Sequence, residues 1–408
     1  MHRHHTAIPE VMQTDILITD TLLFPAPGED TLLPNSFIRI RDSHIVETGP
    51  MEALTDQEAR TIIDGRGCLA MPGLVNGHCH GAMTLFRGLA DDLDLATWLT
   101  EHIFPAEARA VTPEMVFWCT TLAAAEMLLA GITTVADGYF HEHEAARAFA
   151  GCGIRAVAAQ GVIDFPAPGV PDPADNISAA ARFLDEWQNH PLVTPAIFAH
   201  SPYTCSPETL IRARELARQR NAPFFIHLAE TAGEQEQIMD PRGSSPVRHL
   251  EALGLLDAMT VCIHCVWVDR EDLDILARTG AQVVTCPRSN LKLGSGLAPV
   301  TDMLTRDIPV GLGSDSAASN NVLDLFAEMD CLAKIQKIRR RDPVAIPAAR
   351  ILELATTPLL SHRSGPGGRL EPGQVADLIL MDLDRPHLRP FYDPNLLVYA
   401  ARGVVSGT

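Results

Sequence analysis

The chain has 408 residues, 46% of them hydrophobic and 20% charged, which suits a globular protein with one large domain, or one large and one small. A formal charge of −19, with Lys292, Lys334 and Lys337 as the only lysines, argues against nucleic acid, whose phosphates would repel it. No stretch of about 18 apolar residues is present to span a membrane, and nine scattered cysteines without a secretory segment suggest a reducing cytoplasm.

The start, "MHRHHTAIPEVMQTD", has no apolar core and reads as a floppy terminus. "ILITDTLLF" (16–24) and "SFIRIRDSHIVETG" (36–49) read as antiparallel strands, with "RDSH" as the turn of the hairpin. Eight runs of another kind follow: 73–80, 131–138, 154–160, 194–200, 223–230, 260–265, 281–287 and 308–315. Between most of them lie helical patterns such as "PEMVFWCTTLAAAEMLLA" and "SPETLIRARELARQR". The alternation predicts βα units. Eight of them predict an α/β fold of the TIM-like (β/α)8 class, with its active site at the C-terminal ends of the strands. "DFPAPGVPDPADN" (164–176) is Pro-rich and reads as a loop. "LEPGQVADLILMDLD" (370–384) reads as one more strand pair, able to join the N-terminal hairpin in one sheet built from both chain ends. The expected barrel domain covers 69–365, and the small domain 10–68 with 366–408.

The strand ends offer, in order, His78 and His80, Asp137, Gln160, His200, His227, His264, Asn290 just past its strand, and Asp315. Apolar strands that each end on a polar side chain are not what packing alone produces. Residues i and i+2 of a strand share a face, so His78 and His80 both point inward and Cys79 points away. Zinc accepts imidazole and carboxylate ligands, and catalytic sites keep a position open for water. His227 and Asp315, on other strand ends, complete such a set. "CIHC" (262–265) is formally a C-x-x-C, but alternation places Cys262 and His264 on one face and Cys265 on the other. "HEHE" (141–144) follows the second barrel run and opens a helix, in a solvated or supporting place rather than as ligands.

The stretches "MPGLVNGHCHGAMTLFRGLADDL", "WLTEHIFPAEA", "AHSPYTCSPE", "IHLAET", "IHCVWV", "SNLKLGSGLAPV" and "GSDSAASNN" run in order across nearly the whole chain. In them the sequence resembles the amidohydrolase superfamily, in the branch of methylthioadenosine/S-adenosylhomocysteine deaminases and triazine hydrolases. The resemblance implies a deformed barrel with a small β-sandwich domain. It implies one divalent metal, zinc before iron or manganese, on His78, His80, His227 and Asp315. It also implies Glu230 as proton shuttle, His264 as hydrogen-bond partner of the attacking water, and Asp315 as acceptor of that water's proton. Amidohydrolases that bridge two metals use a carboxylated lysine on strand 4, and this chain has no lysine before Lys292. Cytidine-type deaminases need a P-C-x-x-C element, which is absent from the sequence.

The same resemblance assigns substrate contacts. "LATWLTEHIFPAEA" lies in the long loop after strand 1, as a lid over the site, with Trp98 lining the pocket. Glu107 matches a carboxylate that accepts hydrogen bonds from ribose hydroxyls, which suits a vicinal diol. His200 matches a base-contacting histidine. Arg288 and Asn290 either contact substrate or hold their loop. Members acting on S-adenosylhomocysteine end strand 3 with an arginine, and that place here holds Gln160, so uncharged nucleosides such as methylthioadenosine or adenosine are expected to be preferred. Ser316 stands where glycine is common, and the chain stops at "VVSGT" where relatives continue with another strand or two. The competing readings are displacement chemistry on a triazine, pteridine or guanine ring, and a scaffold, which would require a broken catalytic set. The expected partner is thus a small N-heterocyclic molecule, with no nucleic acid or membrane, in a homo-oligomer.

Overall fold

The computed structural model describes residues 14–29, 31–357, 359 and 368–408. The HRHH start lies outside the described residues. Five strands open the chain: β1 (Ile16–Leu23), β2 (Leu33–Arg41), β3 (His44–Pro50), β4 (Thr61–Asp64) and β5 (Cys68–Pro72). The β2–β3 hairpin turns on Asp42 and Ser43, whose φ values of 46° and 62° are the paired positive angles of a type I′ turn. Strand β1 runs parallel to β4 along its first half and to β5 along its second.

The chain crosses at Gly73 into eight parallel strands: β6 (Leu74–Cys79), β7 (Ile132–Tyr139), β8 (Arg155–Val162), β9 (Val193–Ala199), β10 (Phe224–Leu228), β11 (Thr260–His264), β12 (Gln282–Thr285) and β13 (Val310–Leu312). They pair in sequence order, and each falls on one of the eight runs predicted from sequence. The two ends of that order, β13 and β6, meet where the Asp315 N–H donates to the His78 carbonyl at 3.0 Å. Beside it Asn76 Nδ2 donates to Ser314 Oγ at 2.7 Å, and the Ser314 N–H donates back to Asn76 Oδ1 at 2.9 Å. Barrel closure therefore sets His78 and Asp315 side by side.

The connecting helices start on recognisable signals. Thr112 and Ser206 each precede a proline and accept a hydrogen bond from a first-turn N–H, the arrangement that satisfies the free donors of a helix start. Asp269 and Asp272 form a reciprocal capping box. Inside the barrel, Val157, Ala159, Ala196, Phe198, Phe225, Val261, Ile263 and Val284 fill the interior beneath the rim.

The chain ends with β14 (Leu378–Asp382) and β15 (Val405–Gly407), which complete a seven-stranded sheet in the order β15-β14-β5-β1-β2-β3, with β4 on β1. One sheet is thus built from both chain ends, as expected. Its alternation serves two cores. Leu69, Met71, Ile379 and Met381 face the barrel layer, while Ala70, Leu378 and Leu380 join Ile18, Ile38 and Ile45 in a separate cluster. The stretch 370–384 supplies one strand rather than the expected pair. Pro372 and Gly373, the latter at φ 88°, form a turn closed by the Gln374 N–H on the Glu371 carbonyl at 3.1 Å, so the partners of β14 come from β5 and β15 instead. No helix among the described residues is long and apolar enough to cross a membrane.

Candidate metal centre and substrate pocket

Strand alternation aims His78 and His80 into the rim and buries Cys79 in the outer layer, as expected. Donor atoms of His78, His80 and Asp315 lie within 4.8 Å of one another, and those of His78, His227 and His264 do likewise. Asp315 Oδ1 is 3.5 Å from His78 Nε2 and 3.6 Å from His80 Nε2. His78 belongs to both groups, which between them contain the four sequence-predicted ligands together with His264; neither group joins His227 to His80 and Asp315. His80 and His227 are each hydrogen-bonded through Nδ1 to a main-chain carbonyl, of Gly138 and His200 respectively. Each ring then carries its proton on Nδ1 and turns a bare Nε2 toward the cluster. His78 Nε2 is buried without a hydrogen-bond partner, an arrangement that costs free energy unless something binds there. Burial depresses the His78 pKa to about 4 and lowers those of His80 and His227. Neutral imidazoles and one carboxylate make a donor set that fits a divalent metal ion.

The floor of this cluster is Phe198, stacked on His78 with ring centroids 5.6 Å apart. A Cβ on Gly138 would lie 2.4 Å from that ring, so only glycine fits beside it. His264 and Asp315 leave their strands with φ of 76° and 58°. Such angles are uncommon outside glycine and gather where a side chain must be re-aimed at a site.

Glu230 and His264 stand next to the ligands, with His264 Nε2 3.6 Å from Glu230 Oε2. Burial pushes the Glu230 carboxyl up to about 8, with the charge of Asp315 adding to the effect. Glu230 is therefore mostly protonated at neutral pH. Its main chain is held by Glu234, whose carboxylate accepts the N–H groups of Ala229 and Glu230, both at 2.8 Å. His264 is oriented by Asn290, with Nδ1 2.9 Å from Asn290 Oδ1.

A pocket opens over the cluster. Its far wall is the loop after β6, which folds into one continuous helical stretch from Leu95 to Ala110 with a wider π-helical segment at Trp98–Ile103. Such segments recur at functional sites. The whole stretch sends Leu95, Trp98, Leu99, Ile103, Phe104 and Glu107 toward the cavity. Glu107 is buried, and burial raises its carboxyl to about 7. Tyr139 Oη donates to Glu107 Oε1 at 2.6 Å. His200 also lines the pocket. Its Nδ1 is 2.9 Å from Thr204 Oγ1, and burial holds its pKa at about 3, so the ring is neutral.

Trp98, Glu107 and His200 thus reach the cavity, and three sequence-based substrate contacts do not. Gln160 lies on the outer face of β8. Ala159 and Gly161 take the inward positions, and the Gln160 amide donates to the Gly161 carbonyl at 3.2 Å. Arg288 turns away to Asn320, with Nε 3.0 Å from Oδ1, and to the buried Glu328. Asn290 serves His264 instead of lining the cavity. Arg155, at the start of β8, is paired with Asp377 at 2.8 Å. The alternation expected for "CIHC" also fails. The positive φ at His264 and Cys265 rotates His264 into the pocket and leaves Cys262 and Cys265 together in the outer layer. In "HEHE", Glu142 is buried and accepts the Tyr139 N–H at 3.1 Å, a supporting place.

Sequence reasoning missed Tyr139, Ser289 and Ser319. Tyr139 directly follows the second barrel run, so its place at a strand end was readable, whereas its partner lies 32 residues earlier in the lid.

Eight parallel strands in sequence order carry, on one rim, a cluster of histidine and aspartate side chains that could hold a metal ion. Residues 69–407 match the amidohydrolase family, and the chain belongs to it. It is 43% identical over 395 residues to a 5-methylthioadenosine/S-adenosylhomocysteine deaminase of Syntrophobacter fumaroxidans, covering 96% of this chain and 90% of that one. It is 42% identical to a second such protein, from Syntrophus aciditrophicus, over 94% of this chain and 89% of that one. Among solved structures, an adenosine deaminase of Xanthomonas campestris with bound zinc superposes with a TM-score of 0.93 at 34% identity, over 96% of this chain and 91% of that one. A triazine hydrolase of Arthrobacter aurescens shares the fold with a TM-score of 0.88 at 23% identity, over 97% of this chain and 93% of that one.

Proposed function

We propose that this chain is a hydrolytic deaminase that releases ammonia from the adenine ring of an adenosine-type nucleoside, with one zinc ion held by His78, His80, His227 and Asp315. The observation that carries the reading is one pocket lined both by the histidine–aspartate cluster with Glu230 and by the buried acceptor Glu107 of the lid segment. A zinc ion at the cluster supplies the charge that brings the pKa of a water molecule to about 7. His264 orients that water for attack on the amine-bearing ring carbon. Asp315 takes the proton released. Glu230, neutral because it is buried, gives its proton to the adjacent ring nitrogen, so negative charge does not accumulate on the ring; steps of this kind contribute about 10²–10⁴-fold. Asp315 then returns a proton to the departing amine, and the proton of the added hydroxyl passes to Glu230, which regains its neutral form as the ring carbonyl forms and ammonia leaves. His200, bearing no charge, faces the base. Glu107 offers its free oxygen to the ribose diol, while Tyr139 holds the other.

The preference for an uncharged 5′ group rests on the cavity lining and no longer on Gln160. Leu95, Leu99, Ile103, Phe104 and Val162 line it, and no described lysine or arginine does. A carboxylate placed there would lose its water without gaining a charge-assisted partner. Ammonia release measured with methylthioadenosine, adenosine, S-adenosylhomocysteine, guanine and a chlorotriazine tests the whole reading. The first two are expected to turn over fastest. Preference for S-adenosylhomocysteine overturns the view of the 5′ end, and preference for guanine or the triazine overturns the nucleoside assignment.

A further inference from the structure

Ser316 directly follows Asp315, and its hydroxyl is buried at the pocket wall, 3.1 Å from Ser319 Oγ. Ser319 Oγ is 2.9 Å from Ser289 Oγ, and Ser289 Oγ is 2.6 Å from Asp315 Oδ2. Asp315 Oδ1, the oxygen that faces His78 and His80, accepts the Ser316 N–H at 2.7 Å. All three serines are at most 2% exposed.

We propose that Ser289, Ser319 and Ser316 are positioning residues for Asp315, forming a hydroxyl chain that runs from the pocket wall to its carboxylate. An ionised carboxylate only accepts, so Ser289 must donate to Oδ2. Its oxygen is then left to accept from Ser319, and Ser319 in turn accepts from Ser316. The chain has one polarity, and aligned hydroxyls strengthen one another in a low-dielectric surrounding. Both carboxylate oxygens are thereby tied, Oδ1 by main chain and Oδ2 by Ser289. Rotation about the Asp315 Cβ–Cγ bond is restricted while one edge still faces the histidines. Asp315 sits past the end of β13 at a backbone φ of 58°, with its N–H on the His78 carbonyl, and Ser289 is the side chain that holds its outer oxygen. Glycine at 316 would keep the main-chain tie and shorten the chain by its outermost hydroxyl.

The inference rests on Asp315 being a ligand and proton carrier, so the test includes Asp315→Asn, which must abolish turnover if that reading holds. Zinc affinity, measured by chelator competition, and kcat are then compared for Ser289→Ala, Ser316→Ala and the double variant. Loss of a group that orients a ligand typically lowers metal affinity or activity about 10–100-fold. Ser289→Ala is expected to show that loss in both zinc affinity and kcat, with KM for methylthioadenosine held within about twofold because Ser289 does not line the cavity. Ser316→Ala is expected to cost about fivefold in kcat, the size of one neutral hydrogen bond, and nothing further in the Ser289→Ala background. Ser289→Cys, which keeps a weak donor, should fall between. If Asp315→Asn stays active, the parent reading fails. If Asp315→Asn is inactive but Ser289→Ala binds zinc and turns over like the unaltered protein, or if the Ser316→Ala loss persists undiminished in the double variant, the chain is overturned. Should Ser289→Ala not fold, Ser289→Cys and Ser316→Ala carry the same comparison.

Discussion

The cluster side and the lid side of the pocket are built in opposite ways. At the metal end four polar side chains are aimed by neighbours: His80 and His227 by main-chain carbonyls, His264 by Asn290, Asp315 by Ser289. At the lid end Leu95, Leu99, Ile103 and Phe104 are held by packing on a short helical stretch, with Glu107 and its Tyr139 partner as the polar exception. Chemistry that needs fixed distances sits on strand ends, which the barrel makes rigid. Recognition of the variable part of a substrate sits on a connecting segment, which can change without disturbing the ligands.

That contrast can be broken from either side. The largest effect is expected from stripping the metal with a chelator, which should abolish ammonia release and be reversed by added zinc; full activity in the metal-free protein would sink the metal assignment. Glu230→Gln should come next, lowering kcat about 10²–10⁴-fold with metal content unchanged. A loss confined to KM would show that Glu230 binds rather than transfers a proton. At the other end, Glu107→Ala should raise KM for methylthioadenosine about 10–100-fold, the range for hydrogen bonds to a charged group, and leave a ring without ribose unaffected.

Acidity sharpens the same division. Burial raises Glu107 to about 7, and the Tyr139 hydrogen bond opposes that rise. The carboxylate form is the better acceptor for a diol. KM for the nucleoside should therefore fall as pH increases through about 7, and Tyr139→Phe should move that transition to higher pH. A pH-independent KM in both proteins would separate Glu107 from the ribose. The smallest change is expected from Leu99→Arg, which places a cation on the lid and should shift selectivity toward S-adenosylhomocysteine by about tenfold, the worth of roughly one charge-assisted hydrogen bond. Parallel kinetics on the two substrates measure it.

Much of the metal end was legible because the β period is local. His78 and His80 two apart, and single polar residues closing apolar runs, put His227, His264 and Asp315 at the same rim. The same rule failed where the backbone left the strand. Gln160 ended its run on the outer face, and His264 reached the pocket only through its positive φ. The lid end was less legible, since Trp98 and Glu107 came from resemblance and no periodicity linked Glu107 to Tyr139.

The order of elements, the inward pair at 78 and 80, and the sheet shared by both termini were determined by the sequence itself, through alternation and turn residues that act over a few positions. Which oxygen of Asp315 faces the histidines, that Arg155 and Arg288 are spent on Asp377, Asn320 and Glu328, and that three serines line up behind one carboxylate were decided only by the tertiary structure. These depend on barrel closure and on two non-glycine residues with left-handed backbone. No spacing along the chain encodes such contacts between residues that are far apart in sequence.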